Sequence, residues 1–107
     1  MRYEFIESPL FSALLSDYLT DDEYRVFQEY LCEHPDSGDV VRGSGGVRKV
    51  RWRRPGSGKS GGVRVCYYKR VRAGQMLMLV IYAKSAQDTI PGHLLKALRE
   101  EMEDAEN

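Results

Sequence analysis

A chain of 107 residues is long enough for one domain with a modest hydrophobic core. Its 42% apolar and 30% charged residues argue against a disordered chain, and no apolar run approaches the roughly 20 residues that span a bilayer. The two cysteines, Cys32 and Cys66, are too few for a disulfide framework or a zinc site, so we interpret both as thiols in a reducing compartment.

A formal net charge of zero hides a strong segregation of charge along the chain. Residues 1–41 carry ten acidic and two basic side chains, and residues 76–107 carry six acidic and three basic ones. Residues 42–75 carry eleven basic side chains and no acidic one. Because soluble surfaces ordinarily mix both signs, this central segment is expected to attract a polyanion.

The first third of the chain predicts a short strand, over residues 3–6, and a helical hairpin. Ser8 followed by Pro9 is typical of an N-cap and a first helical residue, and apolar side chains then recur at helical spacing. Thr20 opens a capping-box pattern, Thr-Asp-Asp-Glu, which begins a second helix that Pro35 ends.

The rest of the chain predicts strands and a terminal helix. Residues 36–46 are rich in turn formers, and strand patterns follow over residues 47–53, 63–68 and 75–83. A helix begins after Pro91-Gly92. The order predicts one α+β domain over residues 1–107, with an N-terminal strand and helical hairpin packed on a small, mainly antiparallel sheet, plus a C-terminal helix.

The strand over residues 75–83 is expected at the centre of the sheet, because it is apolar on both faces. Strict alternation places Met76, Met78 and Val80 on one face. It places the other apolar side chains, Leu77, Leu79 and Ile81, on the opposite face.

Alternation also gathers basic side chains on one face of the strand over residues 47–53. Lys49, Arg51 and Arg53 recur at every second residue, so they project as a row about 6–7 Å apart, which is near the phosphate spacing of an extended nucleic-acid strand. An antiparallel neighbour would add Arg64 and Tyr68 to this face.

Further side chains are expected around the same concavity. Tyr82 and Lys84 end the central strand and border it. The additional basic side chains that we expect to contact RNA are Arg48, Arg53, Arg54, Lys59 and Lys69. A solvated face, a protected edge strand and a surface for an acidic protein segment are the alternatives to RNA binding.

The basic segment contains neither a histidine nor a carboxylate. His34 and His93 lie outside it and are expected at the surface, so a two-histidine ribonuclease site is not supported. A magnesium-dependent nuclease is not supported either. Cations can still promote RNA cleavage by stabilising the charge that develops on the phosphate, with a lysine or tyrosine for proton transfer. We therefore predict no cofactor and no metal.

Five segments of the sequence carry a family pattern. They are Tyr-Arg-Val-Phe-Gln (24–28), Gly-Gly-Val-Arg-Lys-Val-Arg (45–51), Lys-Ser-Gly-Gly-Val-Arg-Val (59–65), Tyr-Tyr (67–68) and Ile-Tyr-Ala-Lys-Ser (81–85). Together they resemble the RelE/HigB toxins of type II toxin–antitoxin systems, and the HigB branch most closely.

The resemblance implies a RelE-like fold and a metal-independent endoribonuclease, an mRNA interferase. Such toxins cut mRNA in the A site of the 70S ribosome by attack of a 2′-hydroxyl, which leaves a cyclic phosphate and inhibits translation and growth. It also implies a cytoplasmic protein without a membrane partner. A cognate antitoxin, a HigA-like helix-turn-helix protein, would neutralise the toxin and bring the complex to operator DNA.

The resemblance also implies roles for single residues. By position, Lys49 matches a proton-transfer group, and Arg51 and Arg64 match the groups that bind the scissile phosphate. Several family members carry an arginine where Ser85 stands, and some have a tyrosine near the C-terminus, whereas no tyrosine follows Tyr82 here. The remaining candidates for proton transfer are therefore Tyr68, Tyr82 and Lys84.

Two other functions compete with the nuclease. One is a non-catalytic RNA- or DNA-binding module of the same fold, a decayed toxin, which the serine at position 85 favours. The other is an interaction protein whose basic face pairs only with an acidic partner.

Overall fold

Five strands and three helices make up the fold. The computed structural model describes residues 2–53, 62–84 and 89–106. In chain order the elements are β1 (Glu4–Glu7), α1 (Pro9–Tyr18), α2 (Asp21–Glu33), β2 (Asp39–Val40), β3 (Arg48–Trp52), β4 (Val63–Arg70), a 3-10 turn (Val71–Ala73), β5 (Gln75–Ala83) and α3 (Gly92–Glu106).

The strands form one sheet in the order β1-β5-β4-β3-β2. β1 runs parallel to β5, and every other neighbouring pair is antiparallel. β5 is therefore flanked by strands on both sides, and the apolar residues on its two faces contribute to two separate buried clusters. The α1–α2 hairpin covers one face and α3 the other, which confirms the predicted α+β fold. β5 is an interior strand as expected, but β4 rather than β5 is the middle strand of the five.

Both predicted helix starts are confirmed. The Ser8 hydroxyl accepts a hydrogen bond from the Phe11 amide at 2.9 Å, and Pro9 is the first helical residue. At α2, the Thr20 hydroxyl accepts from the Glu23 amide at 3.1 Å, while the Glu23 carboxylate accepts from the Thr20 amide at 2.8 Å. Backbone amides at the start of a helix have no carbonyl partner within the helix, and these side chains accept hydrogen bonds from them. None of the helices in the described ranges is long and apolar enough to cross a membrane.

One prediction about β5 is wrong, because the strand contains a β-bulge. Cys66 is paired with Val80 and Tyr67 with Met78, so Leu79 is an extra residue without a partner on β4. Leu79 and Val80 consequently both join the cluster beneath α3, whereas Ile81 joins the cluster beneath the helical hairpin. Strict alternation had assigned Val80 and Ile81 to the opposite faces.

The turn-rich region also differs in detail from its prediction. It contains β2, a strand of only two residues, which pairs with β3 through Asp39–Lys49 and Val40–Arg48. The buried Ser44 hydroxyl closes the following loop by donating to the Val41 carbonyl at 2.6 Å. A two-residue strand has no detectable sequence period, so its position depends on this tertiary pairing.

Candidate nucleic-acid interface

Three polar side chains form a row across the middle of the sheet. Arg51 of β3 is the cross-strand partner of Arg64 of β4, and Arg64 is the partner of Tyr82 of β5. Directly opposed residues share one face, and neighbouring strands lie about 4.8 Å apart. We refer to Arg51, Arg64 and Tyr82 as the phosphate row. The bulge is what turns Tyr82 to this face, since an unbroken alternation would turn it toward the helical hairpin.

A second row lies two residues further along the strands. Asp39 of β2 is paired with Lys49 of β3, which is paired in turn with Cys66 of β4. Burial raises the pKa of the Cys66 thiol to about 11, although the nearby Lys49 charge opposes that rise. Cys66 is therefore a protonated thiol at neutral pH and has little thiolate character for chemistry.

The two arginines of the phosphate row differ in exposure. Arg51 is exposed, whereas Arg64 is only 6% exposed, which is uncommon for an arginine. A guanidinium held in a largely buried position is oriented before any ligand arrives. Its field is also stronger than that of a fully solvated charge.

Tyr82 is the most unusual member of the row. Its hydroxyl is buried and forms no hydrogen bond of standard geometry. Burial raises its pKa to about 12, and the Cys66 thiol adds to the rise while the Arg64 guanidinium opposes it. At neutral pH the phenol thus keeps its proton and can donate a hydrogen bond.

Tyr68 lies at the other end of this face, beneath α3. The Arg99 guanidinium carbon is 4.6 Å from the centre of the Tyr68 ring, a cation–π arrangement. Arg99 pairs with Glu103, whose carboxylate also lies 3.8 Å from Arg70. Tyr68 is therefore half-buried in the packing of α3 and separate from the phosphate row.

Two side chains predicted as RNA contacts lie on the opposite face and have partners there. Lys69 forms a salt bridge with Asp36, and Arg48 donates to the backbone carbonyls of Asp36 and Gly38 at 2.8 and 3.1 Å. The hydrogen bond from Lys69 is the main cause that holds the pKa of the exposed Asp36 carboxyl below its ordinary value. RNA contacts by Arg48 and Lys69 stay predictions, now on the face opposite Lys49.

The remaining predicted residues are spread around the rim. Arg53 is exposed just after β3, and Lys84 is exposed just after β5. Arg54, Lys59 and Ser85 lie outside the described residues. Across residues 2–53, 62–84 and 89–106, no three His, Cys, Asp or Glu side chains are placed to hold a metal ion.

Asp39 is the residue near the site that the sequence did not suggest. β2 places this exposed carboxylate directly opposite Lys49, on the basic face. No pattern in the sequence could have indicated it, because the pairing depends on the strand of two residues. The basic face therefore contains an acid that the charge count along the chain assigned to another segment.

The comparisons with known proteins bear on the fold. No protein-family model matches the sequence. The structure is similar to that of the E. coli toxin RelE, a double arginine-to-alanine mutant in the free state, with a TM-score of 0.61 over 94% of this chain and 98% of that chain. The chain has a RelE-like fold. Only 13% of the aligned residues are identical, so the similarity establishes the fold alone. Any catalytic or binding activity has to be argued from the residues of the site.

Proposed function

We propose that the protein is the toxin of a type II toxin–antitoxin system, a cytoplasmic endoribonuclease that cuts mRNA on the ribosome. The observation that carries this proposal is the direct cross-strand pairing of Arg51 with Arg64, beside Lys49 and Tyr82. The RelE-like fold supports it. Like charges directly opposed on a sheet are unfavourable, so an anionic ligand gives the arrangement a physical reason.

The reaction we propose is attack by a ribose 2′-oxygen on the neighbouring phosphorus. The O2′–P bond forms and the P–O5′ bond breaks, which leaves a 2′,3′-cyclic phosphate and a 5′-hydroxyl. Negative charge builds on the non-bridging oxygens in the transition state. Arg51 and Arg64 would bind these oxygens, and a preoriented cation lowers the barrier because it interacts most strongly with the charge that develops.

One proton must leave O2′ and another must reach O5′. We assign Lys49 to proton transfer, since it lies on the same face and two residues from Arg51 along β3. Tyr82 is the proposed donor because it lies opposite Arg64 in the phosphate row, and its buried hydroxyl would have to become accessible when RNA binds. Lys84 and Tyr68 are the alternative donors: Lys84 is exposed, whereas Tyr68 is half-buried under Arg99 and lies apart from the phosphate row.

The test is induction in bacteria of the wild type and of a Lys49→Ala/Arg64→Ala double variant. The matched control is Arg25→Ala/Lys96→Ala, which removes two exposed cations from the outer surfaces of α2 and α3. We expect growth arrest and mRNA cut within codons for the wild type and the control. The double variant should show at least a hundredfold loss of cleavage. A wild type that leaves growth and mRNA intact would contradict the nuclease proposal.

The ribosome should be needed for rapid cleavage, because it would hold the 2′-hydroxyl in line with the leaving oxygen. Purified protein is to be compared on mRNA bound in 70S complexes and on the same RNA free in solution. We expect cleavage of the bound mRNA to be faster by orders of magnitude. Equal rates on the two substrates would instead indicate a general ribonuclease.

The second candidate function is a non-catalytic RNA- or DNA-binding module of this fold. It is favoured by Ser85, which stands where several of the resembling toxins have an arginine. Such a module would bind ribosomes or RNA with an affinity that falls steeply with salt, and it would release no cleavage product.

A cognate antitoxin completes the proposal. We expect a HigA-like helix-turn-helix protein, encoded next to this chain, to form a stable complex with it and abolish the growth arrest. Co-expression of the adjacent small reading frame tests this. Persistent growth arrest in the presence of a folded complex would count against neutralisation by that partner.

A further inference from the structure

A cavity of about 380 Å³ opens beside the phosphate row, between the β2–β3 edge and the start of α3. This volume lies at the lower end of the range for small-molecule sites. Val41 and Ile90, which both pack on the α3 side of the sheet, provide apolar walls. The charged residues that line it are acidic Asp39 and basic Lys49 and Arg42.

The polar part of this cavity is set by strand pairing. Asp39 and Lys49 are cross-strand partners, so their side chains leave the sheet on the same face. Asp39 is exposed, and its carboxylate has no hydrogen bond or ion pair with any residue of the described ranges. Its two oxygens are therefore available to an incoming donor.

The opposite wall is fixed by a close backbone approach. A Cβ atom on Gly92, the first residue of α3, would collide with the Arg42 carbonyl oxygen. Only glycine lets the start of α3 rest directly on the loop after β2. The width of the cavity is therefore determined by backbone contact, which preserves its shape better than flexible side chains would.

We propose that this cavity is a base-binding subsite that selects guanine in a nucleotide next to the cleaved bond. The inference deepens the proposed function and rests on it. Asp39 and Arg64 are two strands apart, which is about 10 Å across the sheet, and they are offset by two residues, which is about 7 Å along the strands. One nucleotide can bridge this separation. A base in the cavity would thus be joined to a phosphate at Arg51 and Arg64.

The choice of guanine follows from the carboxylate of Asp39. Single-stranded RNA is read on the Watson–Crick edges of unstacked bases. Guanine alone presents two adjacent donors there, N1–H and N2–H, which the two oxygens of one carboxylate can accept in parallel. Adenine, cytosine and uracil each place an acceptor beside their donor, and that acceptor would face the negative charge.

The first test measures binding without cleavage. The 3′-monophosphates of guanosine, adenosine, cytidine and uridine are titrated into the protein, and amide NMR signals of Val40 and Ile90 report occupancy. We expect guanosine monophosphate to bind at least tenfold more tightly than the other three. Asp39→Asn keeps the shape of the side chain but loses an acceptor, so it should reduce that preference to less than about threefold.

The control is Asp17→Asn, which removes the same charge from an exposed position on α1. It should leave the guanine preference unchanged, and the amide spectra confirm that each variant is folded. Equal binding of the four nucleotides by the wild type overturns the subsite. So does a guanine preference that survives Asp39→Asn.

Cleavage mapping separates this inference from the proposed function. Ribosome-bound mRNAs that differ in one nucleotide beside the cut are compared, and cleavage of the guanine substrate should fall at least tenfold when that base is changed. A wild type that cuts every sequence equally overturns the subsite and leaves the nuclease intact. A wild type that binds guanosine monophosphate selectively but cuts nothing supports the subsite and overturns the nuclease.

Discussion

The Ser8 hydroxyl donates a hydrogen bond to the carbonyl oxygen of Leu79 at 2.8 Å, across 71 positions of sequence. Leu79 is the extra residue of the β5 bulge, and Ser8 is also the N-cap of α1. One buried hydroxyl therefore begins a helix and satisfies a carbonyl at the irregularity of the central strand. The bulge in turn is what directs Tyr82 to the basic face.

Removal of this hydroxyl should be costly. Ser8→Ala leaves the Phe11 amide and the Leu79 carbonyl without their partner in a buried location, so we expect the free energy of unfolding to fall by about 2 kcal/mol. Urea denaturation measures it. The control is Ser12→Ala. Ser12 is exposed and its hydroxyl donates to the Glu7 carboxylate, so its loss should change stability by less than about 0.5 kcal/mol. Equal effects of the two variants would contradict the role of Ser8 at the bulge.

The facing arginines should lower the stability of the free protein. Arg51→Met keeps the aliphatic stem and removes one of the two opposed charges, so the free energy of unfolding should rise by about 0.5 kcal/mol at low salt. Salt screens the repulsion, and the gain should shrink as salt is added. The comparison variant is Arg53→Met, an exposed position beyond the end of β3. If Arg51→Met destabilises the protein, the repulsion between Arg51 and Arg64 is not significant.

Cleavage should fall in Arg51→Met whatever the stability of this variant.

Two buried tyrosines should respond in opposite ways to loss of their hydroxyls. The Tyr67 hydroxyl lies 3.0 Å from the Pro35 carbonyl and 2.7 Å from the Ser37 carbonyl, to which it donates, whereas the Tyr82 hydroxyl has no such partner. Tyr67→Phe should therefore cost about 1–2 kcal/mol at pH 7, and Tyr82→Phe should leave stability equal or slightly higher. Urea denaturation of the two variants in parallel decides this. A destabilised Tyr82→Phe would mean that the hydroxyl has a stabilising partner.

Alkaline pH offers an independent check on the same phenols. Burial raises the pKa of Tyr82 to about 12 from an ordinary value of 10.0, so the folded state favours the protonated form. The stability that this protonated form contributes is complete below pH 10 and is lost as pH rises through 12. Tyr82→Phe should lose less stability than the wild type between these values. Parallel losses in the two proteins would show that Tyr82 does not titrate in this way.

Gly38 should tolerate substitution far worse than Gly43. Both have positive φ, at 81° and 78°, but a Cβ on Gly38 would collide with the Lys49 carbonyl, whereas nothing lies within 4 Å of one on Gly43. Gly43→Ala should cost about 1 kcal/mol from backbone conformation alone, and Gly38→Ala clearly more, because β2 must move away from β3. Thermal unfolding of both variants tests the difference, and equal midpoints would contradict it.

Local signals were sufficient for the helices and the main strands. The Ser8-Pro9 and Thr20 caps depend on hydrogen bonds within one turn, so short sequence motifs identify them. The bounds of β5 followed from a run that is apolar on both faces. The basic face was partly predictable as well, because Arg51 and Arg64 keep the alternation of their own strands.

What could not be predicted depends on pairing between distant segments. A single extra residue at Leu79 exchanged the faces of Val80 and Ile81, and nothing in an apolar run marks where such a residue falls. Asp39 reached the basic face through a strand of two residues. These long-range contacts place both Tyr82 and Asp39 on the basic face. Sequence patterns alone therefore predicted only some of the side chains at the site.

The acidic first turn of α2 and the arginines of the phosphate row lie on opposite sides of the sheet, which has a consequence for how the protein meets a large polyanion. The exposed acidic first turn of α2 lies on the hairpin side of the sheet, and Arg51 lies on the other side. Because the net charge is zero, attraction toward a nucleic acid at long range is weak, and orientation matters. Within roughly one Debye length, about 8–10 Å, attraction is strongest when Arg51 faces the phosphates and the first turn of α2 faces away. Productive encounters would then begin with rotation, with the acidic hairpin facing away from the phosphates before any contact forms.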